Sequence, residues 1–237
     1  MHTKEHFNDE NTDTMVPGEM HLHTAEVSLC ARVPAKEIPR AYAAHGYRCI
    51  VVTNHWNEYT LSQFPGSIKQ KNEKWLEGYK TVRDEGEKFG IKVLLGMEIT
   101  LPAGPEDFLI YGMTEEFLRE YPRLYSESLA TVYKTVDATQ MLLIQAHPFR
   151  PYLHVANPRY LHGVEVHNGN ERHENNNEQA LAFAQKHKLL QTSGSDFHLH
   201  EDVNRGGIRL PSEIGNSTQL AAFLRKGTHQ LYCPAKD

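Results

Sequence analysis

The chain of 237 residues is long enough to bury the core of one α/β domain, and 39% of its residues are hydrophobic. A net charge of −5 and the absence of a basic run disfavour a long nucleic acid as its partner. No apolar stretch approaches the roughly 20 residues of a membrane span, and Cys30, Cys49 and Cys233 form no CxxC pair, which is typical of a reduced cytoplasmic protein.

The organisation of the chain is predicted to be a polar leader over residues 1–18 followed by one domain over residues 19–237. Within that domain, apolar β-branched runs alternate with amphipathic stretches. The predicted strands are about Glu19–His23, Arg48–Thr53, Ile91–Ile99, Asp107–Tyr111, Met141–Ala146, Gly163–His167, Leu189–Ser193 and Gln230–Cys233. The predicted helices are Ala35–His45, Lys71–Phe89, Ser126–Ala138, Asn175–Lys188 and Ser217–Lys226, with a short helix opening at Thr114.

This alternation is typical of parallel βα units that are covered on both faces, so the fold class is predicted to be α/β. About seven such units favour a barrel over an open sheet. Because the chain contains neither a GxGxxG motif nor a phosphate loop, nucleotide binding of either common kind is not indicated.

Two histidines at the end of the first predicted strand, His21 and His23, point to the same face because side chains of an extended strand alternate. Two imidazoles so placed can bind one metal ion. Asp196 and His198 repeat this spacing after a later apolar run. One such pair is weak evidence for a metal site, and two pairs at strand ends are stronger evidence.

Metal-ligand side chains cluster at, or just past, the carboxyl ends of predicted strands. These residues are His21, His23, His55, Glu98, His147, Glu165, Asp196 and His198. In a barrel of parallel strands those ends converge on one mouth. Imidazole with carboxylate suits Zn, Mn or Fe, and no thiolate is in the predicted set. One tetrahedral ion takes about four ligands, so we expect two or three divalent ions, with Glu98 able to bridge neighbours.

In these motifs the chain resembles the PHP (polymerase and histidinol phosphatase) family. The matching motifs, in the family's order, are His21-Leu22-His23-Thr24, Thr53-Asn54-His55, Gly96-Met97-Glu98, Ala146-His147-Pro148, Gly163-Val164-Glu165-Val166 and Gly194-Ser195-Asp196-Phe197-His198. The resemblance implies a distorted (β/α)7 TIM-like barrel, a di- or trinuclear metal centre and phosphoester hydrolysis.

The resemblance also implies a distribution of ligands among the ions. The first ion takes His21, His23, Glu98 and Asp196, the second shares Glu98 and takes His147, and the third takes His55 and His198. The family's usual ligand after the His-x-His-Thr motif is missing, since Ser28-Leu29-Cys30 stands there, and Glu26 is the nearest carboxylate to replace it. Asp107 is a candidate oxygen ligand of the second ion, and Glu165 is expected to orient a ligand.

These residues predict a metal-dependent phosphoesterase, a hydrolase that attacks a small-molecule phosphomonoester with a metal-activated water. Glu98, Asp196 and His198 are the predicted catalytic residues, and Arg150, Asn168 and Arg205 the predicted substrate-binding residues. The alternatives are an amidohydrolase-like enzyme acting on a C–N bond and a non-catalytic metal-bound binding module. Among phosphate substrates, histidinol phosphate, a nucleotide, a phosphotyrosine peptide and a short oligonucleotide stay open.

Overall fold

The computed structural model describes residues 14–234, so most of the predicted leader, including residues 1–13, lies outside the described residues, as do residues 235–237. The first strand already begins at Met15 and pairs with two other strands. This strand therefore begins within the range that was predicted as the leader.

Within residues 14–234, strands and helices follow one another in the order expected for an α/β fold. The strands are β1 Met15–Glu19, β2 Cys49–Val52, β3 His55–Trp56, β4 Lys92–Leu95, β5 Met97–Thr100, β6 Asp107–Tyr111, β7 Leu142–Gln145, β8 Gly163–Asn168, β9 Leu190–Gly194, β10 Ile208–Pro211 and β11 Gln230–Leu231. The α-helices are α1 Ile38–Ala44, α2 Glu58–Ser62, α3 Ile68–Gly86, α4 Glu115–Glu120, α5 Leu129–Ala138, α6 Asn177–His187 and α7 Ser217–Arg225.

The strands form two mixed sheets rather than one parallel sheet. The first has the order β11-β10-β1-β2-β4, and the second has the order β3-β5-β6-β7-β8-β9. β6 runs antiparallel to both β5 and β7, which corrects the expectation of parallel βα units throughout. The physical reason is the short connection between β5 and β6, which cannot hold the crossover that a parallel neighbour requires.

The two sheets are joined by continuous chain and by one bridge. β4 passes into β5 across the single residue Gly96. Leu22, just beyond β1, pairs in parallel with Phe197, just beyond β9. The described residues thus show an α/β fold, and their strand pairing does not close into the predicted (β/α)7 ring. No helix in this part of the chain combines the length and apolar character needed to cross a membrane.

Helix α3 supports the segment that carries His55. It begins with a capping box in which the Ser67 hydroxyl accepts the N–H of Gln70 and the Gln70 side-chain oxygen accepts the N–H of Ser67. From its buried face, the Trp75 indole donates a hydrogen bond of 2.8 Å to the carbonyl of His55. The neighbouring Trp56 indole donates to the Asn72 side chain on the same helix, at 3.0 Å. Two buried aromatic side chains therefore fix the backbone on which His55 stands.

A buried carboxylate, Glu19, holds together the two backbone segments that carry most of the candidate ligands. Its side chain accepts hydrogen bonds from the N–H groups of Met20 and His21, both at 2.8 Å, and of Ser195, at 3.0 Å. The Tyr42 hydroxyl donates to the other oxygen at 2.9 Å. Burial raises the pKa of this carboxyl, whereas the hydrogen bonds from the His21 and Ser195 segments oppose the rise.

We expect the substitution Glu19→Ala to destabilise the fold strongly, because it leaves three buried N–H groups without their acceptor. Each buried unsatisfied group costs about 1–3 kcal/mol, so the free energy of unfolding should fall by about 3–5 kcal/mol in denaturant titration. Tyr42→Phe, which removes one hydroxyl from the same network, should cost about 1 kcal/mol. A loss in Glu19→Ala no larger than that of Tyr42→Phe would contradict this role.

Candidate metal centre

The His-x-His motif follows β1 and presents both imidazoles to one cavity. His21 and His23 are fully buried, while Leu22 between them packs into the apolar core on the opposite side. The end of β9 approaches this motif at Gly194, where a Cβ atom would lie only 2.5 Å from the Cβ of His21. A glycine is needed at that position because any larger residue would push the two segments apart.

The centre of the site is the carboxylate of Glu98, which is 1% exposed and faces four imidazoles. Its Oε1 lies 3.2 Å from Nε2 of His21 and 3.3 Å from Nε2 of His147. Its Oε2 lies 3.2 Å from Nε2 of His23 and 3.0 Å from Nδ1 of His55. Each oxygen thus faces its own pair of histidines, which is the arrangement that a bridging carboxylate requires.

The atoms that face one another here have no hydrogen-bond partner within residues 14–234. They are both oxygens of Glu98, Nε2 of His21, Nε2 of His23 and Nδ1 of His55. Buried polar atoms normally pair, and an unpaired buried carboxylate is costly. Cations placed between the nitrogens and the oxygens would satisfy all five atoms at once. The donor set of imidazole and carboxylate therefore fits divalent zinc, manganese or iron.

Hydrogen bonds on the far side of the rings set the tautomers of the first two histidines. Nδ1 of His21 lies 3.0 Å from the carboxylate of Glu165, which can only accept, so this nitrogen carries the hydrogen. Nδ1 of His23 lies 3.1 Å from the Ser28 hydroxyl, which donates its own hydrogen to Asn54. Both rings therefore turn the lone pair of Nε2 towards Glu98. Glu165 has the orienting position that the sequence favoured.

Asp196 closes the first cluster from the other side. Its Oδ1 lies 3.4 Å from Nε2 of His21 and 3.5 Å from Nε2 of His23. Its backbone is left-handed, with a φ of 51°, and so is that of His147, with a φ of 29°. Such conformations are uncommon outside glycine and concentrate at functional sites, where the surrounding structure has to hold them.

The charges of the site reinforce one another. Burial favours the neutral acid, but the neighbouring His21 and His55 outweigh it and hold the pKa of Glu98 well below its usual range. Burial likewise opposes the charged form of His21, yet Glu165, Glu98 and Asp196 raise the pKa of its imidazole well above 6.5. Positive charge is therefore strongly stabilised at this position, whether protons or metal ions carry it.

The third predicted position has a different ligand set from the expected one. Ring nitrogens of His23, His55 and His198 lie within 4.8 Å of one another. The thiol of Cys30 lies 3.0 Å from Nε2 of His198. Burial raises the pKa of this thiol, but hydrogen bonds with His198 and His55 outweigh burial and lower it to about 5.

Glu26, which was predicted to complete the third position, does not reach it. Its exposed carboxylate accepts the Ala35 N–H, with both oxygens at 3.0 Å, and so caps the short helical turn that precedes α1. Cys30 was the residue that the sequence analysis missed, although it stands in the segment where the family's ligand was lacking. Asp107 does reach the centre, where its carboxylate groups with His55 and Glu98 and accepts the Thr100 hydroxyl at 2.5 Å.

An open cavity of about 470 Å³ leads to these residues, and three arginines, Arg32, Arg150 and Arg172, are among its lining residues. Arg150 uses its guanidinium within the protein, donating to Asp196 at 2.6 Å, Asn175 at 2.8 Å and Asn168 at 3.3 Å. It therefore positions Asp196 in addition to lining the cavity.

Two predicted substrate-binding residues do not line this cavity. Asn168 is buried and bridges Arg150 and Glu165 through its side-chain amide. Arg205 is partly exposed and pairs with Glu171. In their place the structure adds Arg32 and Arg172 to the cavity wall. Arg172 makes two bonds to Asp202, whereas Arg32 donates to the carbonyls of Leu29 and Ala31, neutral acceptors that leave its charge available to a ligand.

Comparison with known proteins shows what this fold is similar to. No protein-family model matches the chain, and no curated protein matches it. A solved structure from Bacteroides vulgatus, named as a two-domain protein containing a predicted PHP-like metal-dependent phosphoesterase, superposes with a TM-score of 0.67 at 18% identity. The match covers 93% of this chain and 65% of that one, so this chain spans less than two thirds of that protein's length.

Two further structures share the fold, and each match covers 92% of this chain at 15% identity. One is a lesion-specific endonuclease from Pyrococcus furiosus, with a TM-score of 0.61 and 58% of its own length covered. The other is an amidohydrolase from Chromobacterium violaceum, with a TM-score of 0.54 and 98% of its length covered. These likenesses confirm, at the level of the fold, the resemblance to PHP-type proteins that the motifs indicated, and they fit a distorted TIM-like architecture.

Metal binding to this centre should stabilise the fold more at about pH 8 than at about pH 6. Because folding raises the pKa of His21 and His55, their protons stabilise the metal-free fold below about pH 6.5, and this stabilisation is lost as the pH rises through the raised values. Cations must displace those protons, so they compete better at the higher pH. Thermal unfolding with EDTA and with Mn²⁺ or Zn²⁺ measures the difference, and an equal shift in Tm at both pH values would contradict it.

Proposed function

We propose that this chain is a metal-dependent phosphoesterase that hydrolyses a small-molecule phosphomonoester. The observation that carries the proposal is the Glu98 carboxylate, whose two buried oxygens have no hydrogen-bond partner among the described residues and each face a pair of imidazole nitrogens. The similarity of the fold to a PHP-like phosphoesterase agrees with this chemistry. We also propose that the two sheets together wrap as the distorted barrel that the family resemblance implies.

The proposed assignment of ligands to ions follows the family resemblance. The first ion is assigned to His21, His23, Glu98 and Asp196, the second to Glu98, His147 and Asp107, and the third to His55 and His198. When bound, the ions supply Lewis acidity that polarises a phosphoryl oxygen and acidifies a water molecule. Glu165 and Ser28 keep the His21 and His23 rings oriented, and Arg150 positions the carboxylate of Asp196.

The predicted role of His198 in protonating the leaving group is not favoured by its contacts. Its Nδ1 lies 2.7 Å from the Asp196 carbonyl, and its Nε2 lies 3.0 Å from the Cys30 thiol. Neither ring nitrogen is left to meet a leaving alkoxide. We therefore assign His198 to binding and orientation, and Glu98 and Asp196 remain the proposed catalytic carboxylates.

The size and charge of the cavity support a small anionic substrate. A volume of about 470 Å³ lies within the range of small-molecule sites, about 300–1,000 Å³. The Arg32 and Arg172 side chains at its wall suit phosphate oxygens. The net charge of −5 still disfavours long nucleic acids, but the fold is shared with an endonuclease, so an oligonucleotide belongs among the substrates to be tested.

An amidohydrolase-like activity on a C–N bond is the second candidate, and the shared fold of the Chromobacterium violaceum amidohydrolase favours it. One screen separates the two enzymes and the non-catalytic alternative. The purified protein is incubated with Mn²⁺ or Zn²⁺ and offered an aryl phosphate, small phosphomonoesters, short oligonucleotides and amide or imide substrates. We expect metal-dependent release of inorganic phosphate. Ammonia or amine release would support the second candidate, and bound metal without turnover would support a binding module.

The substitution Asp196→Asn should lower metal-dependent phosphate release by at least about 100-fold, since even residues that only orient ligands contribute 10- to 100-fold. Asparagine keeps the size of the side chain beside the buried Arg150, which Ala would leave unpaired. The matched control is Glu26→Gln, the same exchange at a carboxylate outside the cavity, which should keep full activity. Far-ultraviolet circular dichroism verifies folding. Full activity in folded Asp196→Asn protein would refute the assignment.

The substitution Arg32→Gln should weaken phosphomonoester turnover without removing the metals. A hydrogen bond to a charged group is worth about 1.5–3 kcal/mol, so kcat/KM should fall about 10-fold or more, mainly through a raised KM. Arg205→Gln removes a similar charge outside the cavity and should leave kcat/KM unchanged. If both variants behave alike, Arg32 does not contact the phosphate. Elemental analysis of both proteins checks that the metal content is retained.

A further inference from the structure

We propose that the thiolate of Cys30 is a ligand of the third ion, together with His55 and His198. The inference rests on the proposed metal centre and changes its chemistry, because it adds a sulfur ligand to a site otherwise built from nitrogen and oxygen. Neither the family resemblance nor the motifs assign a role to this cysteine.

The first observation is the contact between Cys30 and His198. The sulfur lies 3.0 Å from Nε2 of His198. The other nitrogen of that ring, Nδ1, lies 2.7 Å from the Asp196 carbonyl, which can only accept a hydrogen bond, so Nδ1 carries the hydrogen. The lone pair of Nε2 is therefore directed at the position where the thiol lies. The His55 ring is a second hydrogen-bonding neighbour of the same sulfur.

The second observation is independent of the cysteine. His23 is fully buried, and its Nε2 has no hydrogen-bond partner in the described part of the chain. A ring nitrogen of His23 lies within 4.8 Å of ring nitrogens of His55 and His198. Three imidazoles that converge in this way can hold a cation whether or not Cys30 takes part.

The backbone holds Cys30 over this position. The N–H of Arg32 donates to the carbonyl of His198 at 2.9 Å, and the N–H of Ala31 donates to Ser28 at 2.9 Å. The turn from Ser28 to Arg32 is thus fixed to the segment that carries His198. The imidazole nitrogen and the thiolate sulfur of a tetrahedral zinc site lie about 3.5 Å apart. The observed 3.0 Å needs to open by only a fraction of an ångström.

A thiolate ligand has consequences for metal preference. Binding replaces the S–H bond by a sulfur–metal bond and releases the thiol proton to solvent. Because thiolates favour zinc and other soft or borderline ions over manganese and magnesium, the third position should select Zn²⁺ or Co²⁺. The positions around Glu98 have only imidazole and carboxylate donors and should accept Mn²⁺ as well. The sequence analysis expected no thiolate among the ligands, and the proposal adds the thiolate of Cys30 to them.

Cobalt substitution tests the proposal, because a bond between Co²⁺ and a thiolate gives a near-ultraviolet charge-transfer band that nitrogen and oxygen ligands do not give. The metal-free full chain is titrated with Co²⁺ while this band and the visible ligand-field bands are recorded. The variants are Cys30→Ser and, as a matched control, Cys233→Ser, which removes a thiol that contacts His167 and Ser193 instead. Equilibrium dialysis counts the ions bound by each protein.

We expect the charge-transfer band in the unsubstituted chain and in Cys233→Ser, and its loss in Cys30→Ser together with weaker binding of one cobalt equivalent. Cys30→His should recover that equivalent without the band, since imidazole can replace thiolate. Cobalt binding without the band in the unsubstituted chain, or a band that persists in Cys30→Ser, would overturn the role of Cys30 and leave the proposed function standing. Failure to bind any cobalt would overturn both.

Discussion

The structure depends on one buried charge, the carboxylate of Glu98. It lies at 1% exposure among the imidazoles of His21, His23, His55 and His147, and none of the facing atoms of Glu98 is satisfied by a hydrogen bond from residues 14–234. A buried charge is tolerated only with a compensating partner. The fold surrounds both oxygens with imidazole nitrogens, which can carry protons or bind cations that offset this charge.

The support of this centre lies in buried polar residues that contact the candidate ligands, and of the three named here only Arg150 also lines the cavity. Glu19 binds the backbone of both the His21 and the Ser195 segments, Glu165 orients His21, and Arg150 holds Asp196. Each is itself hydrogen-bonded, so the cost of its burial is offset by contacts that place a ligand. The precision of the site therefore comes from polar groups that a list of ligands alone would omit.

The sequence predicted the features of the site that depend on local patterns, and it did not predict those that depend on the course of loops or the direction of side chains. The grouping of the candidate ligands was predictable because strand ends are local features: an apolar run that stops at a histidine or an acid is visible in the chain. The structure brings His21, Glu98, His147 and Asp196 close together as expected. In the structure the Glu26 carboxylate caps the turn before α1, and the Cys30 thiol contacts His198. Which of the two approaches the third position depends on how the loop between β1 and α1 turns, and sequence spacing does not predict that. Arg32 lines the cavity and Asn168 does not, and both findings depend on the direction of the side chain, which sequence spacing does not predict.

The direction of strand β6 explains why the candidate ligand Asp107 stands at the beginning of a strand and not at its end. In a parallel strand the residue that reaches the mouth lies at or just past the carboxyl end, as Asp196 does after β9. β6 runs the other way, against both β5 and β7. Its first residue, Asp107, is therefore the one that lies beside the ends of its neighbours, and it groups with His55 and Glu98. Because β6 is reversed, its first residue and not its last lies on the side of the sheet that carries Glu98. The antiparallel strand therefore places the Asp107 carboxylate beside the other candidate ligands.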